Sequence, residues 1–166
     1  MAAKPKPVPE GTHTITAHLA IRNAAQALEF YPKAFGAEVI GGVAKGPDGK
    51  VMHAELKIGD SKFMLHDEMP SMGAPGPETL GGTPVTLSLC VEDVDKLWNQ
   101  AVAAGAKVAM PLKDQFWGDR YGVVTDPFGF KWALLSHVED VAPDEMKQRM
   151  DAFFAQAAQQ KAASAS

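Results

Sequence analysis

Two halves of this chain run through the same signals in the same order. Ile21 and Val91 each end an apolar–polar alternation, Asn23 and Asp93 each precede a helical pattern, and Gly36 and Gly105 each follow its end. A repeat of roughly 70 residues implies two similar units that bury a face together. In the first half, Thr14 to Ile21 alternates as a strand does, with one face toward a core. Ala27, Leu28, Phe30, Tyr31 and Phe35 recur at helical spacing, with Asn23 as the expected N-cap and Gly36 as the stop. Ala37 to Val43 reads as a second strand, Gly46-Pro47-Asp48-Gly49 as a turn, Met52 to Ile58 as a third strand and Ser61 to Asp67 as a fourth. In the second half, Val85 to Val91 is a strand, and Val94, Leu97, Trp98, Ala101 and Val102 form a helical stripe. Lys107 to Pro111, Gln115 to Trp117, Tyr121 to Asp126 and Lys131 to Ser136 are further strands. The fold class is therefore α+β, with two paired βαβββ modules.

The remaining segments set the boundaries. A single domain over 12–140 holds module one (12–67), a linker (68–82) and module two (83–137). The linker carries Pro70, Pro75, Pro77 and four glycines without periodicity, and a loop this long is often functional. Residues 1–11 read as a flexible arm. The C-terminal helix and tail, 141–166, start with Pro143, Asp144 and Glu145, which suit a first helical turn. Met146, Met150, Phe153, Phe154 and Ala157 form an apolar stripe, and Ala162 to Ser166 a frayed end. That helix either docks on its own domain or packs across a dimer.

Composition narrows the function classes. With 46% apolar and 22% charged residues the chain reads as globular. A net charge of −4 gives it no electrostatic reason to seek nucleic acid or an anionic membrane. The one cysteine, Cys90, has no partner in the chain and reads as a small buried filler. The N-terminus lacks the apolar core of a signal peptide, and no apolar run reaches spanning length, so the expected location is cytoplasmic.

Alternation groups the polar residues. Thr16 and His18 share a face, as do His53, Glu55 and Lys57. A neutral histidine serves as a base and a carboxylate orients it or holds a cation, while the same group equally makes a passive polar lining. Phe116-Trp117-Gly118-Asp119-Arg120-Tyr121 has the aromatics to stack on a flat ligand and an arginine to hold an anionic group. The competing reading is a structural loop in which Asp119 and Arg120 pair with the backbone or each other. His66 beside Asp67 reads as a solvated surface pair, His137 as a capping or packing residue, and Trp98 and Trp132 as core.

The run His18-Leu19-Ala20-Ile21, then Ala27-Leu28-Glu29-Phe30-Tyr31 and Phe35-Gly36-Ala37, resembles the opening of the vicinal oxygen chelate superfamily, which holds the glyoxalases, bleomycin-resistance proteins and extradiol dioxygenases. Lys50 to Asp60, Gly81-Gly82-Thr83-Pro84, Phe116 to Gly122, Asp126-Pro127-Phe128-Gly129 and His137-Val138-Glu139-Asp140 resemble its PhnB-like branch. The resemblance spans roughly residues 13–150. It implies a cup-shaped, mixed but mostly antiparallel sheet with helices outside, a ligand on the concave face, and a homodimer. In the metal-dependent members each module supplies a histidine from its first strand and a carboxylate from its last. Here those positions fall on Thr16, Thr86, Glu55 and Ala133, and only Glu55 is a ligand type. Some relatives carry histidines where this chain has Ser88 and Phe130. The expectation is no metal and no cofactor, with a divalent metal as the alternative. The resemblance also places Thr86, Ser88 and Cys90 on the cup face. Glu55, His18 and His53 are the catalytic candidates; Thr16, Thr86, Ser88, Trp117, Arg120 and Tyr121 are the ligand-binding candidates. Two functions stay open. One is a small-molecule-binding protein without turnover. The other is a lyase, isomerase or dioxygenase-like enzyme that uses Glu55 with His18 or His53.

Overall fold

The computed structural model describes residues 6–9 and 11–164, with side chains through residue 160. The arm expected over 1–11 therefore lies in part outside the described residues, as does the end of the frayed tail. Eight strands and four helices follow in the order β1 (His18–Ile21), α1 (Ala24–Phe35), β2 (Glu38–Lys45), β3 (Val51–Ile58), β4 (Ser61–Asp67), α2 (Pro77–Leu80), β5 (Thr86–Cys90), α3 (Val94–Ala104), β6 (Lys107–Asp114), β7 (Asp119–Thr125), β8 (Lys131–His137) and α4 (Pro143–Ser164). The linker is not bare loop: it holds a 3₁₀ turn over Pro70–Met72 and the single turn of α2.

Each module makes its own four-stranded open sheet, ordered β1-β4-β3-β2 and β5-β8-β7-β6. In both, the first strand runs parallel to the fourth and the other neighbours are antiparallel. The parallel pairing follows from the helix crossover, which returns the chain in the starting direction. The helices α1 and α3 pack against each other and cover one face of the sheets. No helix among the described residues is long and apolar enough to cross a membrane.

Local chemistry departs from the expected pattern at three places. The first strand is shorter than Thr14–Ile21, because the chain bends at Thr14-Ile15 and the Thr16 hydroxyl donates to the His13 carbonyl. Asn23 is not a side-chain cap; it adopts a left-handed backbone, φ 65. The Asp67 carboxylate takes over, accepting from Ala24 N at 2.9 Å and from Val51 N at 2.7 Å. The equivalent place in the second module is held by Ser136, whose hydroxyl accepts from Val94 N at 3.0 Å, while the Asp93 side chain caps α3 by accepting from Lys96 N at 2.9 Å. Finally, Gln115–Trp117 is a turn and not a strand: Gly118 N donates back to Gln115 O, and Gln115 N to Asp119 O. Gly118 sits at φ 96, where a Cβ would collide with the Glu139 carbonyl.

The core lies between the modules on the helix side. Tyr31 and Phe35 of α1 pack on Trp132 of β8, with ring centroids 5.5 and 4.6 Å apart, and Phe63 and Phe128 close the group. Asp126 is buried in it. Its carboxylate accepts from Tyr31 Oη, Trp132 Nε1, Phe128 N and Phe130 N, each at 2.9 Å. A buried charge is tolerated when hydrogen bonds replace its water, and here those donors come from both modules. Trp98 of α3 packs against the same core, its ring edge pressed to Gly122, where no side chain would fit.

Candidate functional site

Strand register decides what faces the uncovered side. In the first sheet Leu19, Ile21, Ala54, Leu56, Phe63 and Leu65 are buried under the helices. Their alternates therefore point the other way: His18 and Ala20 on β1, His53, Glu55 and Lys57 on β3, and Lys62, Met64 and His66 on β4. Pairing arranges them in rows. Glu55 lies opposite Met64, and Met64 opposite His18. Lys57 lies opposite Lys62 one row nearer the β3–β4 turn.

The structure brings three imidazoles together on this open face. The His18 ring meets His66 edge to face at 4.7 Å and His53 at 6.1 Å. His53 Nε2 is 3.8 Å from Glu55 Oε1, both side chains being partly exposed. Burial, and then the neighbouring His66 and His53, hold the His18 pKa below its ordinary value, so it is a neutral imidazole at neutral pH. His18 also opens onto a cavity of about 200 Å³ at the junction of the modules, lined by Ala20, the linker residues Pro75, Pro77 and Leu80, and Phe130. The linker is tied down over it. Glu68 accepts from the Thr79 hydroxyl at 2.6 Å, Arg22 Nε at 2.8 Å and Gly76 N at 2.9 Å, and these partners, Thr79 first, depress its pKa to about 2.

His66 is not a solvated surface residue. It is 9% exposed and shares the open face with His18, because β4 alternates Lys62, Met64, His66 against Phe63 and Leu65. That alternation is readable in the chain. Cys90 is not a buried filler either. It is exposed, on the open face of β5 beside Thr86 and Ser88. Ser88 lines a second cavity, about 130 Å³, with Lys62, Phe63 and Trp132 between the two sheets. Thr16 lies off the strand, its hydroxyl turned to His13 O.

The aromatic loop divides between the faces. Trp117 Nε1 donates to Asp119 Oδ2 at 2.9 Å, and its ring meets Tyr121 at 5.8 Å and Phe116 at 5.1 Å. Asp119 Oδ1 is 2.9 Å from His137 Nδ1, and His137 Nε2 is 3.0 Å from Asp140, so Asp119 and then Asp140 raise the His137 pKa. Arg120 points the other way, with Gly122 and Val124, to the helix side. There Asp95 of α3 takes its Nε and Nη2 at 2.7 Å and Asp114 takes Nη1 at 2.9 Å. It is not beside Trp117 and Tyr121 as an anion clamp; one-residue alternation along β7 separates them.

The carboxylate positions also need correcting. Glu55 lies on the third strand of its module, whereas Ala133 lies on the fourth. Ala133 faces Ser88 across the β5–β8 pair, and the residue that faces His18 across β1–β4 is Met64. The four positions are thus Thr16, Met64, Thr86 and Ala133. None is an ordinary oxygen or nitrogen ligand for a divalent metal, so these residues do not fit one. Among the described residues no three His, Cys, Asp or Glu side chains are grouped to hold a metal ion.

The comparisons with known proteins agree with this architecture. A family model described as Glyoxalase/Bleomycin resistance protein/Dioxygenase superfamily matches residues 12–134. Protein Rv0887c of Mycobacterium tuberculosis (strain ATCC 25618 / H37Rv) is 48% identical over 139 residues, 82% of this chain and 81% of that one. The crystal structure of PA1353 from Pseudomonas aeruginosa is 27% identical with a TM-score of 0.62, over 77% of this chain and all of that one. TnmS3, an antibiotic binding protein from Streptomyces sp. CB03234, shares the fold at 21% identity and a TM-score of 0.57, over 76% of this chain and 96% of that one.

Proposed function

The chain belongs to the Glyoxalase/Bleomycin resistance protein/Dioxygenase superfamily, and on that premise we propose that it binds a small organic molecule on the open face of its first sheet. The observation that carries this reading is the grouping of His18, His53, His66 and Glu55 on a face that the helices leave uncovered, beside the cavity under the linker. Convergent polar side chains on an uncovered face beside a cavity are the groups that orient a small ligand. Thr86, Ser88, Trp117 and Tyr121 on the second module supply further polar and aromatic contact. The fold accommodates such ligands: TnmS3 is an antibiotic binding protein.

A second reading follows from the His53–Glu55 approach and the neutral state of His18. A histidine base oriented by a carboxylate supports proton-transfer chemistry of the lyase or isomerase kind. Glu55→Gln separates the two. It leaves affinity largely intact in a binding protein and abolishes turnover in an enzyme. We also propose a homodimer built in part by α4, because Met150, Phe153 and Phe154 remain exposed at 39%, 46% and 61%, an apolar stripe that a second copy would cover. The test of the binding reading is a small-molecule screen followed by backbone NMR. Shifts should cluster at His18, His53, Glu55 and His66; ligands that map to α1 and α3 instead would refute the site.

A further inference from the structure

The most constrained group on the open face is His66. Its Nδ1 lies 2.7 Å from the Asp67 carbonyl oxygen. A carbonyl only accepts, so Nδ1 carries the hydrogen. In the neutral ring Nε2 is then the bare nitrogen, with a lone pair and no proton. Among the described residues Nε2 has no hydrogen-bond partner, yet no unpartnered side-chain nitrogen or oxygen is sealed from solvent. The lone pair therefore opens onto the face shared with His18 and His53. A histidine 91% buried, oriented by its own backbone and presenting one unsatisfied acceptor, is fixed before any ligand arrives.

Resting on the proposed binding role of this face, we propose that His66 Nε2 is its selecting acceptor, so that the site takes ligands carrying a neutral hydrogen-bond donor, a phenolic hydroxyl above all. The surroundings favour a donor over an anion. His18 is neutral, and Glu55 adds a carboxylate one row away. The arginine of the aromatic loop is on the opposite side, held by Asp95 and Asp114. The other charged or titratable groups on the face are His53, Lys57 and Lys62, and both lysines lie toward the β3–β4 turn, away from His66. A phenol fits this arrangement in two ways: its O–H donates to Nε2, and its ring lies against imidazoles that already pack edge to face.

The experiment uses the full chain at about pH 8, where an unperturbed imidazole is neutral. Histidine labelled with ¹⁵N reports the tautomer without any ligand, and His66 should be protonated on Nδ1 alone. The probes are para-cresol, its methyl ether and para-toluate, titrated by NMR. Para-cresol should bind about three- to tenfold tighter than the ether, the worth of one neutral hydrogen bond, and tighter than para-toluate. His66→Asn keeps a donor near the Asp67 carbonyl but removes Nε2, and should erase the preference. His66→Gln places an amide oxygen near the Nε2 position and should restore part of it. A proton found on Nε2, equal affinity for phenol and ether, or a preference that survives His66→Asn overturns the proposal. If the probes bind and shift His18 and His53 regardless of His66, this proposal fails and the binding reading stands. If none binds at millimolar concentration, both fail.

Discussion

The substitution Tyr31→Phe isolates one bond between the modules. It removes the donor that reaches Asp126 Oδ2 from α1, at 2.9 Å, and leaves the ring contacts with Phe35, Phe63, Phe128 and Trp132 in place. No carbon is lost, so cavity formation adds little. The three remaining donors, Trp132 Nε1 and the amides of Phe128 and Phe130, all belong to the second module. A hydrogen bond to a charged group contributes about 1.5–3 kcal/mol, and that is the expected loss of stability at neutral pH. For a domain of this size it corresponds to a fall in Tm of roughly 3–12 °C. The penalty depends on pH. Burial raises the Asp126 pKa above the ordinary carboxylate value, against the pull of its donors, with Trp132 first. The folded state thus favours the protonated acid, and this group's contribution is fully present below the unfolded pKa and declines as pH rises through the folded one. The Tyr31 donor supports the carboxylate more than the acid, so its deletion costs more at neutral pH than below pH ~4. Urea unfolding of the wild type, Tyr31→Phe, Asp126→Asn and the double variant measures the coupling. A loss under about 0.5 kcal/mol, or equal losses in the presence and absence of the Asp126 carboxylate, would refute the reasoning.

Other outcomes follow from the same geometry. Arg120→Ala should leave ligand affinity unchanged while lowering Tm slightly, since its guanidinium is engaged by Asp95 and Asp114 on the helix side; a selective loss of anionic ligands in calorimetry would return it to the site. The Glu68 clamp has a folded pKa depressed to about 2, so its contribution is present above the unfolded pKa and is lost as pH falls through the folded one; amide protection factors in 68–82, corrected for the intrinsic exchange rate, should fall in acid and be low already at neutral pH in Glu68→Gln. For His137 the sign is opposite. Asp119 and Asp140 raise its pKa, so its contribution is present below the unfolded pKa and is lost as pH rises through the folded one, and the Tm difference between wild type and His137→Asn should shrink above neutrality. Deletion after Asp140 should convert a dimer into a monomer by light scattering; an unchanged mass would remove α4 from the interface.

The repeat, the two βαβββ modules and the C-terminal helix were legible in the linear chain, because apolar periodicity and turn residues are local signals that each half states independently. Ile21 ends β1 and Gly36 and Gly105 directly follow α1 and α3, while β5 stops one residue short of Val91. Alternation likewise placed His53 with Glu55 on a common face, whereas Thr16, grouped with His18 by the same pattern, falls outside β1. What alternation alone leaves undetermined is which neighbour a strand receives. Only pairing put Met64, and not Glu55, opposite His18, and only pairing set His66 beside that ring. The turn at Gln115–Trp117 shows the same limit at shorter range. One residue of register decides the face, and after that turn Arg120 falls to α3 while Asp119 and Tyr121 stay with Trp117. Local sequence sets the period of each element; the phase between elements comes from long-range packing, here of Tyr31, Trp132 and Asp126 at the module junction, and the functional face depends on that phase.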